Sequence, residues 1–434
     1  MTPIPPIAAA PMSDVEVALS FALLLVCPLA IAGVALINTG LGRSRSAAQA
    51  LLGNLALASV AAIAFVLVGA SFAGAEPGGW ALAVHAGGSA LEFFHIGPPF
   101  LRGLAAAAPQ AQLAVLFQFL SVAFVALIPW GSGADRWRLP AGCASAAVVA
   151  AVVFPAVAYW TWGGGWLARL GVNFSLGAGF LDAGGAGSVH LLGGICALAV
   201  VWIAGPRRGK FPKEGLSTAM PGHSAVYVLF GCMVALVGWL AWNAAGAILW
   251  LRAPLSALPI TAINTLLSAS GALATTFSVT RFRFGKPDAS LCANGWLAGL
   301  VASSACAAVV SPIAALFIGG VAGVFTPLLV ELLELALSVD DPTGAVTVHG
   351  AAGLWGLLAA GVFASQPGQF AAQLVGIAAI LGLMLPLVYL LFSILNRLVP
   401  FRVDPDGERI GMDLHELGGG AYPEFVIHRD ESYR

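Results

Sequence analysis

Long runs of apolar residues, separated by mostly short polar loops, follow one another along nearly the whole chain. A helix that crosses a lipid bilayer needs about 20 mostly apolar residues. On that basis the hydrophobic pattern predicts eleven membrane-spanning helices, of which the eighth is short and the ninth long. They lie near residues 15–41, 50–72, 110–133, 141–162, 184–205, 224–248, 256–279, 290–306, 309–337, 345–366 and 370–396. We therefore expect an all-α polytopic membrane protein.

The basic residues between these runs predict the side that each loop faces, because cytoplasmic loops are rich in Lys and Arg. Alternate loops on one side collect eleven basic residues, and the loops on the other side collect three. The first set is Arg43, Arg45, Arg136, Arg138, Arg207, Arg208, Lys210, Lys213, Arg281, Arg283 and Lys286, and the second is Arg102, Arg169 and Arg252. This places the N-terminus outside and the tail, residues 397–434, in the cytoplasm. The loop with Asp340 and Asp341 is an exception, because it carries no basic residue.

An odd number of helices also allows two halves of opposite orientation. Helices one to five, at about 15–205, and helices six to ten, at about 224–366, form two units of five helices each. The second unit then enters the membrane upside down relative to the first. The eleventh helix, 370–396, completes a transmembrane domain over 1–396. Inverted repeats commonly place a transport site near the middle of the membrane, between the two halves.

Composition agrees with a membrane protein and excludes other classes. The chain has 434 residues, of which 59% are hydrophobic and 9% charged, whereas soluble domains are roughly 25% charged. A net charge of -1 gives no attraction to nucleic acid. The six cysteines lie singly, without CxxC spacing, so we expect them to be small packing residues. The first residues, MTPIPPIAAAPMSDVEVA, lack a basic region before an apolar one, so we expect no cleaved signal peptide.

Two segments repeat one ionisable pattern, an Asp followed eight residues later by a His. The segment DAGGAGSVHLLGG contains Asp182 and His190, and DPTGAVTVHGAAG contains Asp341 and His349. Each histidine falls near the start of the last helix of its half, and an ionisable residue inside a membrane indicates a functional site. Two imidazoles bonded to each other would offer one proton donor and one acceptor. The alternative is two unrelated core histidines bonded to backbone carbonyls.

The two aspartates have different surroundings. Asp182 follows a Gly-rich stretch whose free amides would cap its carboxylate, and a capped carboxylate near an outer vestibule also lowers the cost of holding a monovalent cation. Asp341 is followed directly by Pro342, which favours a simple helix N-cap.

Aromatic residues near the outer surface are candidates for holding a cation. Trp162 ends the fourth helix and Phe117 lies in the outer half of the third. A ring face attracts a small cation by about 0.5–2 kcal/mol. For Trp160 and Trp166 the sequence instead favours anchors at the membrane interface.

Several chemistries have no support in the sequence. It contains no HExxH motif, no cluster of carboxylates within a span and no GxxxxGK[ST] motif. We expect no metal, no cofactor, no enzyme activity and no ATP-driven pump. What remains is passive or proton-coupled movement of a small solute across the lipid bilayer.

The chain resembles the ammonium transporters of the Amt/Mep/Rh family, most of all the bacterial Amt branch, from PLAIAGVALINTGLGRSRS to GMDLHELGGGAY. The most specific segments are FPAVAYWTWGGGWLARLG, LDAGGAGSVHLLGG, GWLAWNAAG, NGWLAGLVASSAC and DDPTGAVTVHGAAGLWG. The resemblance implies an eleven-helix fold with pseudo-twofold symmetry in the inner (plasma) membrane. It also implies a homotrimer in which each subunit has its own pore.

The family's functional residues carry over by motif. His190 and His349 match the paired pore histidines, Asp182 matches the carboxylate that supports ammonium recruitment, and Trp162 and Phe117 match the outer aromatic site. The resemblance implies that ammonium loses its proton near the pore mouth, that ammonia and the proton pass separately, and that the histidines serve the relay.

The chain also departs from the family at the pore mouth. In the family, two stacked phenylalanines usually close the pore, and this chain has Ser121 and Trp242 at their positions. Either the large ring of Trp242 fills the space that the missing ring at position 121 leaves, or the gate is fixed open or shut. Gly246 replaces a vestibule serine. Away from the pore mouth, Gly344 stands two residues after the start Asp340-Asp341-Pro342, where an acidic residue is usual.

The tail departs from the family in part. It keeps the three family residues Gly411, Asp413 and Tyr422, whereas Leu417 and Gly419 replace a histidine and a glutamate. These two changes weaken the case for docking of a PII-type regulatory protein on the cytoplasmic face.

Three functions remain open at this point. The first is a channel-like transporter of ammonium. The second is an ammonium sensor or transceptor that has the fold but conducts poorly, and the third is an Rh-like pathway for a neutral gas such as ammonia or carbon dioxide.

Overall fold

The computed structural model describes residues 11–74, 79–86, 88–214 and 217–422. The expectation of no cleaved signal peptide falls largely on residues 1–10, outside the described part of the chain.

Helices dominate the described residues, and ten of them are long and apolar enough to cross a membrane. Together with the shorter apolar helix α8, they are α1 (Asp14–Leu41), α2 (Ser44–Ala73), α3 (Pro109–Ser132), α4 (Leu139–Thr161), α5 (Ala186–Ala204), α6 (Ala225–Leu251), α7 (Leu255–Phe284), α8 (Ala289–Ser303), α9 (Pro312–Ala336), α10 (Val346–Phe363) and α11 (Gln369–Leu398). Every predicted span has its helix, and the largest difference is the start of α2, predicted at 50 and found at Ser44. Because α8 has only 15 residues, the count of eleven spans stays a prediction.

Polar residues just before several helices explain where these helices begin. Ser13 accepts a hydrogen bond from the amide of Glu16, whose carboxylate bonds back to Ser13, so the two residues form a capping box for α1. Ser224 caps α6, Asp288 caps α8 and Ser311 caps α9 through side-chain oxygens. Along the helix interiors the backbone bonds to itself, which is obligatory where lipid offers no partner.

Helices α5 and α10 share an unusual start and meet backbone to backbone. Each begins with π-helical turns, Ala186–Leu191 in α5 and Val346–Ala351 in α10, and these turns carry the two histidines. A Cβ atom at Gly194 would overlap the backbone of Gly350. Small residues permit this approach, and it brings the last helices of the two predicted halves together.

A β-hairpin lies between α2 and α3, in the stretch 73–109 that separates the second and third predicted spans. Strand β1 (Trp80–Ala86) pairs antiparallel with β2 (Ser89–Ile96), with an irregularity in register between Leu82 and Ala83.

The hairpin covers the C-terminal end of α4 and overturns the prediction that Trp160 is a membrane anchor. Trp160 is only 2% exposed, and its Nε1 donates to the carbonyl of Phe93 in β2 at 2.8 Å. The Trp166 ring lies 5.1 Å from the Phe93 ring, centroid to centroid. Trp160 therefore packs against protein, because β2 occupies the place that the interface prediction gave to lipid headgroups. Trp166 is half-buried, and its role as an anchor stays a prediction.

A buried ion cluster lies at the end of the molecule away from the hairpin, where α3 and α5 end and α10 begins. Arg207 donates to both carboxylate oxygens of Asp340, at 2.9 Å each, and to Asp135 at 3.1 Å. Arg136 donates to the backbone carbonyl of Asp340 at 2.7 Å. Burial alone would raise the pKa of Asp340, but the hydrogen bonds and charges of Arg207 and Arg136 lower it to about 2. This pairing explains how the loop before α10 carries acidic residues among basic loops.

The described part of the tail packs against the same end of the molecule as the ion cluster. Asp413, 1% exposed, accepts from the amides of Ala48 and Gln49 in the first turns of α2, at 3.1 and 2.7 Å. Glu416 accepts from the amide of Leu139 at the start of α4. The Tyr422 hydroxyl bonds to a ring nitrogen of His223 at 3.0 Å. Two carboxylates of the tail thus occupy amides that a helix start leaves free.

Candidate functional site

The two histidines of the repeated pattern contact each other in the interior. Nδ1 of His349 lies 3.2 Å from Nδ1 of His190, and the rings are 5.2 Å apart with planes inclined by 21°. His190 is 0% exposed and His349 3% exposed. The alternative of two unrelated core histidines bonded to backbone carbonyls is therefore wrong.

This contact fixes what the pair offers to a passing molecule. A neutral imidazole has one N–H and one bare nitrogen, so one Nδ1 donates and the other accepts. The donor ring then keeps a bare Nε2, and the acceptor ring carries N–H at its Nε2. Among the described residues, Nε2 of His190 is buried and has no hydrogen-bond partner. The pair thus provides one proton acceptor and one proton donor, whichever way the shared proton lies.

Aromatic rings hold the pair in place. Trp239 stacks on His190, 5.0 Å away and inclined by 14°, and its Nε1 donates to the Ser304 hydroxyl at 2.9 Å. Phe124 meets His190 at 5.2 Å and 88° and His349 at 6.2 Å and 72°. Such aromatic pairs each contribute about 0.5–1.5 kcal/mol beyond burial, so the imidazoles have little freedom to turn.

Asp182 caps the start of α5, as its Gly-rich surroundings predict. Its carboxylate accepts from the amides of Gly187 and Ser188, at 2.9 and 2.7 Å, and from the Ser188 hydroxyl at 2.7 Å. The backbone carbonyl of Asp182 accepts from Nε1 of Trp162 at 2.8 Å. The charge thus faces its own helix, and a part for Asp182 in ammonium recruitment, which stays a prediction, is indirect in this geometry.

Asp341 occupies the equivalent position before α10. Its carboxylate accepts from the amide of Val346 at 2.7 Å and from the hydroxyl of Ser132 at 2.7 Å. The predicted capping role of Asp341 is confirmed in part: its carboxylate accepts from a first-turn amide, but the N-cap residue itself is Ala345. In both segments the aspartate accepts from the amide of the residue five positions later, which is Gly187 for Asp182 and Val346 for Asp341.

Three rings form what we call the outer aromatic group: Phe117, Trp162 and Trp250. The Phe117 centroid lies 5.3 Å from that of Trp162 and 5.7 Å from that of Trp250, and the two indoles stack at 5.2 Å, inclined by 8°. The sequence prediction named Phe117 and Trp162 and missed Trp250. A signal was present, since Trp250 follows Trp242 by eight residues in α6 and so falls on the same helix face.

The positions that match the usual pore gate lie between this group and the histidines. The Ser121 hydroxyl donates to the carbonyl of Phe117 at 2.8 Å, so it is turned toward its own helix. The Trp242 ring is 1% exposed, and its centroid lies 5.2 Å from Phe117 and 5.6 Å from Phe124. Phe124, which the sequence did not single out, therefore connects the gate region to the histidine pair.

Gly246, one turn beyond Trp242, lies against the loop that precedes α5. A Cβ atom at this position would overlap the carbonyl oxygen of Ala183, and Nε1 of Trp242 donates to the carbonyl of Gly184 at 3.1 Å. The position that lacks the family's vestibule hydroxyl is thus also the point where the backbone of α6 closely approaches the loop before α5.

The site has the groups for proton sharing in an apolar setting. In the residues covered by the structure, no group of three or more His, Cys, Asp or Glu side chains is placed to hold a metal ion. The chemistry that the site offers is that of two imidazoles that share a proton, bordered by aromatic rings.

Comparison with known proteins identifies the family. The model of the Ammonium Transporter Family matches residues 17–422. Ammonium transporter Amt2 of Archaeoglobus fulgidus is 33% identical over 96% of this chain and 91% of its own length, and Ammonium transporter Amt2 of Haloferax mediterranei is 32% identical over 91% and 87%. The solved structure of a Sensor Amt Protein superposes with TM-score 0.82 and 25% identity over 93% of this chain and 98% of its own. Candida albicans Mep2 shares the fold at TM-score 0.77, with 23% identity over 95% of this chain and 91% of its own. The chain belongs to the Ammonium Transporter Family.

Proposed function

We propose that this protein conducts ammonium across the membrane as ammonia and a proton, and that His190 and His349 carry the proton between its two sides. The observation that carries the proposal is the direct contact of the two imidazoles, buried between aromatic rings. The relatives are named as ammonium transporters, and the chain is a multi-pass membrane protein of their family.

The physical argument starts from the cost of charge inside a bilayer. A cation at the bilayer centre costs several kcal/mol, whereas neutral ammonia carries no such penalty. The outer aromatic group attracts ammonium at its ring faces, and the bare Nε2 of the histidine pair takes the proton that ammonium gives up, so that ammonia passes Trp242 and Phe124 without charge. The proton travels by the histidines, because one Nε2 accepts a proton while the other gives one up.

We also propose the assembly and the orientation that the family resemblance implies. The subunits form a homotrimer with one pore each, in the inner (plasma) membrane, with the N-terminus outside and the tail in the cytoplasm. Docking of a PII-type protein on the cytoplasmic face stays a prediction, since Leu417 and Gly419 stand at two positions of the tail pattern.

A second candidate is a sensor that binds ammonium and conducts poorly. Two observations favour it. The first is an unbroken series of ring contacts that runs from Trp250 through Phe117 and Trp242 to Phe124. The second is that one of the similar solved structures is that of a Sensor Amt Protein.

The test is the current that an ammonium pulse evokes from purified protein in liposomes on a solid-supported membrane. The wild type is expected to give a saturable current, and His190→Ala to reduce it at least about 100-fold, the lower end of what a positioned proton-transfer group contributes. His85→Ala, on the exposed hairpin, is the matched control and should keep the current.

The other outcomes separate the alternatives. Ammonia flux without current indicates the neutral gas pathway. Ammonium binding by calorimetry with neither current nor flux indicates the sensor. A full current in folded His190→Ala would contradict the relay.

A further inference from the structure

A single phenyl ring lies where the gate region meets the histidine pair. On α3, Phe117, Ser121 and Phe124 follow at helical spacing and so share one face. Position 121, which matches a family gate position, carries no ring, and its hydroxyl is bonded to the helix backbone. Phe124, one turn deeper, does carry a ring and is 1% exposed.

Trp242 faces this ring from the neighbouring helix. Its centroid lies 5.6 Å from that of Phe124, with the planes inclined by 75°. The bond from its Nε1 to the carbonyl of Gly184 holds the indole in this orientation. Phe124 and Trp242 therefore face each other across the space between α3 and α6.

The same phenyl ring borders the histidine pair directly. It contacts His190, His349 and also Trp239, the last at 5.5 Å and 75°. Four edge-on aromatic contacts leave it no room to swing aside without moving a histidine or an indole, because close-packed rings lose these contacts when they are displaced.

We infer that Phe124, and not position 121, supplies the second ring of the constriction, and that Phe124 and Trp242 together set the largest molecule that reaches the histidines. The inference rests on the proposed function, because it concerns the molecule that passes. It means that the double-ring constriction lies one helical turn deeper in this chain, in contact with the proton-sharing pair.

The test compares methylammonium with ammonium as the current-carrying cation in the same liposomes. Phe124→Leu is expected to raise the ratio of methylammonium to ammonium current about tenfold, the effect of one methylene in a hydrophobic pocket. Adding Ser121→Phe to Phe124→Leu puts a ring back one turn outward and should lower the ratio again. Phe119→Leu is the matched control, because Phe119 lies on the same helix but packs on Phe65, 5.2 Å away, and its ratio should equal that of the wild type.

The outcomes distinguish the inference from the function on which it rests. A wild type without current overturns the proposed function and the inference with it, whether or not ammonia flux remains. A conducting wild type whose ratio is unchanged in folded Phe124→Leu overturns the inference alone. If Phe124→Leu does not fold, Phe124→Met, whose unbranched and flexible side chain fills irregular gaps in a core, is judged by the same ratio.

Discussion

Gly246 lies so close to the carbonyl oxygen of Ala183 that a Cβ atom would overlap it. Gly246→Ser would return the hydroxyl that is usual in the family, yet it must push the loop before α5 away from α6. We expect it to lower the free energy of unfolding by about 1–3 kcal/mol, as overpacking of a close contact does, and to weaken the current. Thermal unfolding in detergent measures the first effect. Gly382→Ser in α11 is the control, since a Cβ there meets nothing within 4 Å, and equal melting temperatures of the two variants would contradict the argument.

Residue types that are costly in a membrane were found from the sequence, whereas only some of the aromatic residues of the site were. His190 and His349 stand out because an imidazole in an apolar run needs a partner, and the structure pairs them. Phe124 is one aromatic residue among many, and only the approach of α3 to α6 gives it a place. Trp250 was missed although its spacing from Trp242 was visible in the sequence. The error at Trp160 has the same cause, because nothing in α4 indicates that β2 covers it.

At the scale of elements, the carboxylate of Asp182 stabilises the start of α5 through three hydrogen bonds. Asp182→Asn removes the charge and turns one acceptor oxygen into a donor, which faces the amide N–H of Gly187 or of Ser188. We expect a loss of about 1–3 kcal/mol in the free energy of unfolding, the cost of buried polar groups left unpaired. Thermal unfolding checks this, with the ammonium dependence of the current recorded alongside.

The control for this substitution is Asp288→Asn. Asp288 also caps a helix, but through one bond on an exposed surface, so its loss should be smaller. If Asp182→Asn kept full stability and lost affinity for ammonium, the carboxylate would act on the cation directly, and its structural role would be contradicted.

Helix boundaries were predictable because lipid leaves the backbone no partner outside a helix or a closed barrel. The predicted spans and the observed helices therefore agree, even where α5 and α10 begin with π-helical turns. Outside the lipid this constraint ends. The hairpin Trp80–Ile96 was missed although WALAVHA, a Gly-Gly pair and SALEFFHI carry the residues of two strands and a turn.

At the scale of the whole molecule, the two ends of the helix bundle carry different groups. The hairpin and the outer aromatic group lie at one end, and the ion cluster of Arg207 and Asp340 lies with the docked tail at the other. Basic residues concentrate at the second end, which the positive-inside rule assigns to the cytoplasm. The two ends therefore offer matched positions for testing the orientation.

The orientation is tested by labelling one introduced cysteine at each end with a membrane-impermeant maleimide. Val84→Cys lies on β1 at a position 56% exposed, and Arg409→Cys lies in the short helix Pro405–Ile410, where the native side chain is 76% exposed. In intact cells we expect Val84→Cys to react and Arg409→Cys to react only after permeabilisation. The unmodified chain gives the background, which should be low because five of its six thiols are buried and that of Cys143 is partly buried. The reverse pattern would invert the topology, and the proposed direction of ammonium entry at the outer aromatic group would then be wrong.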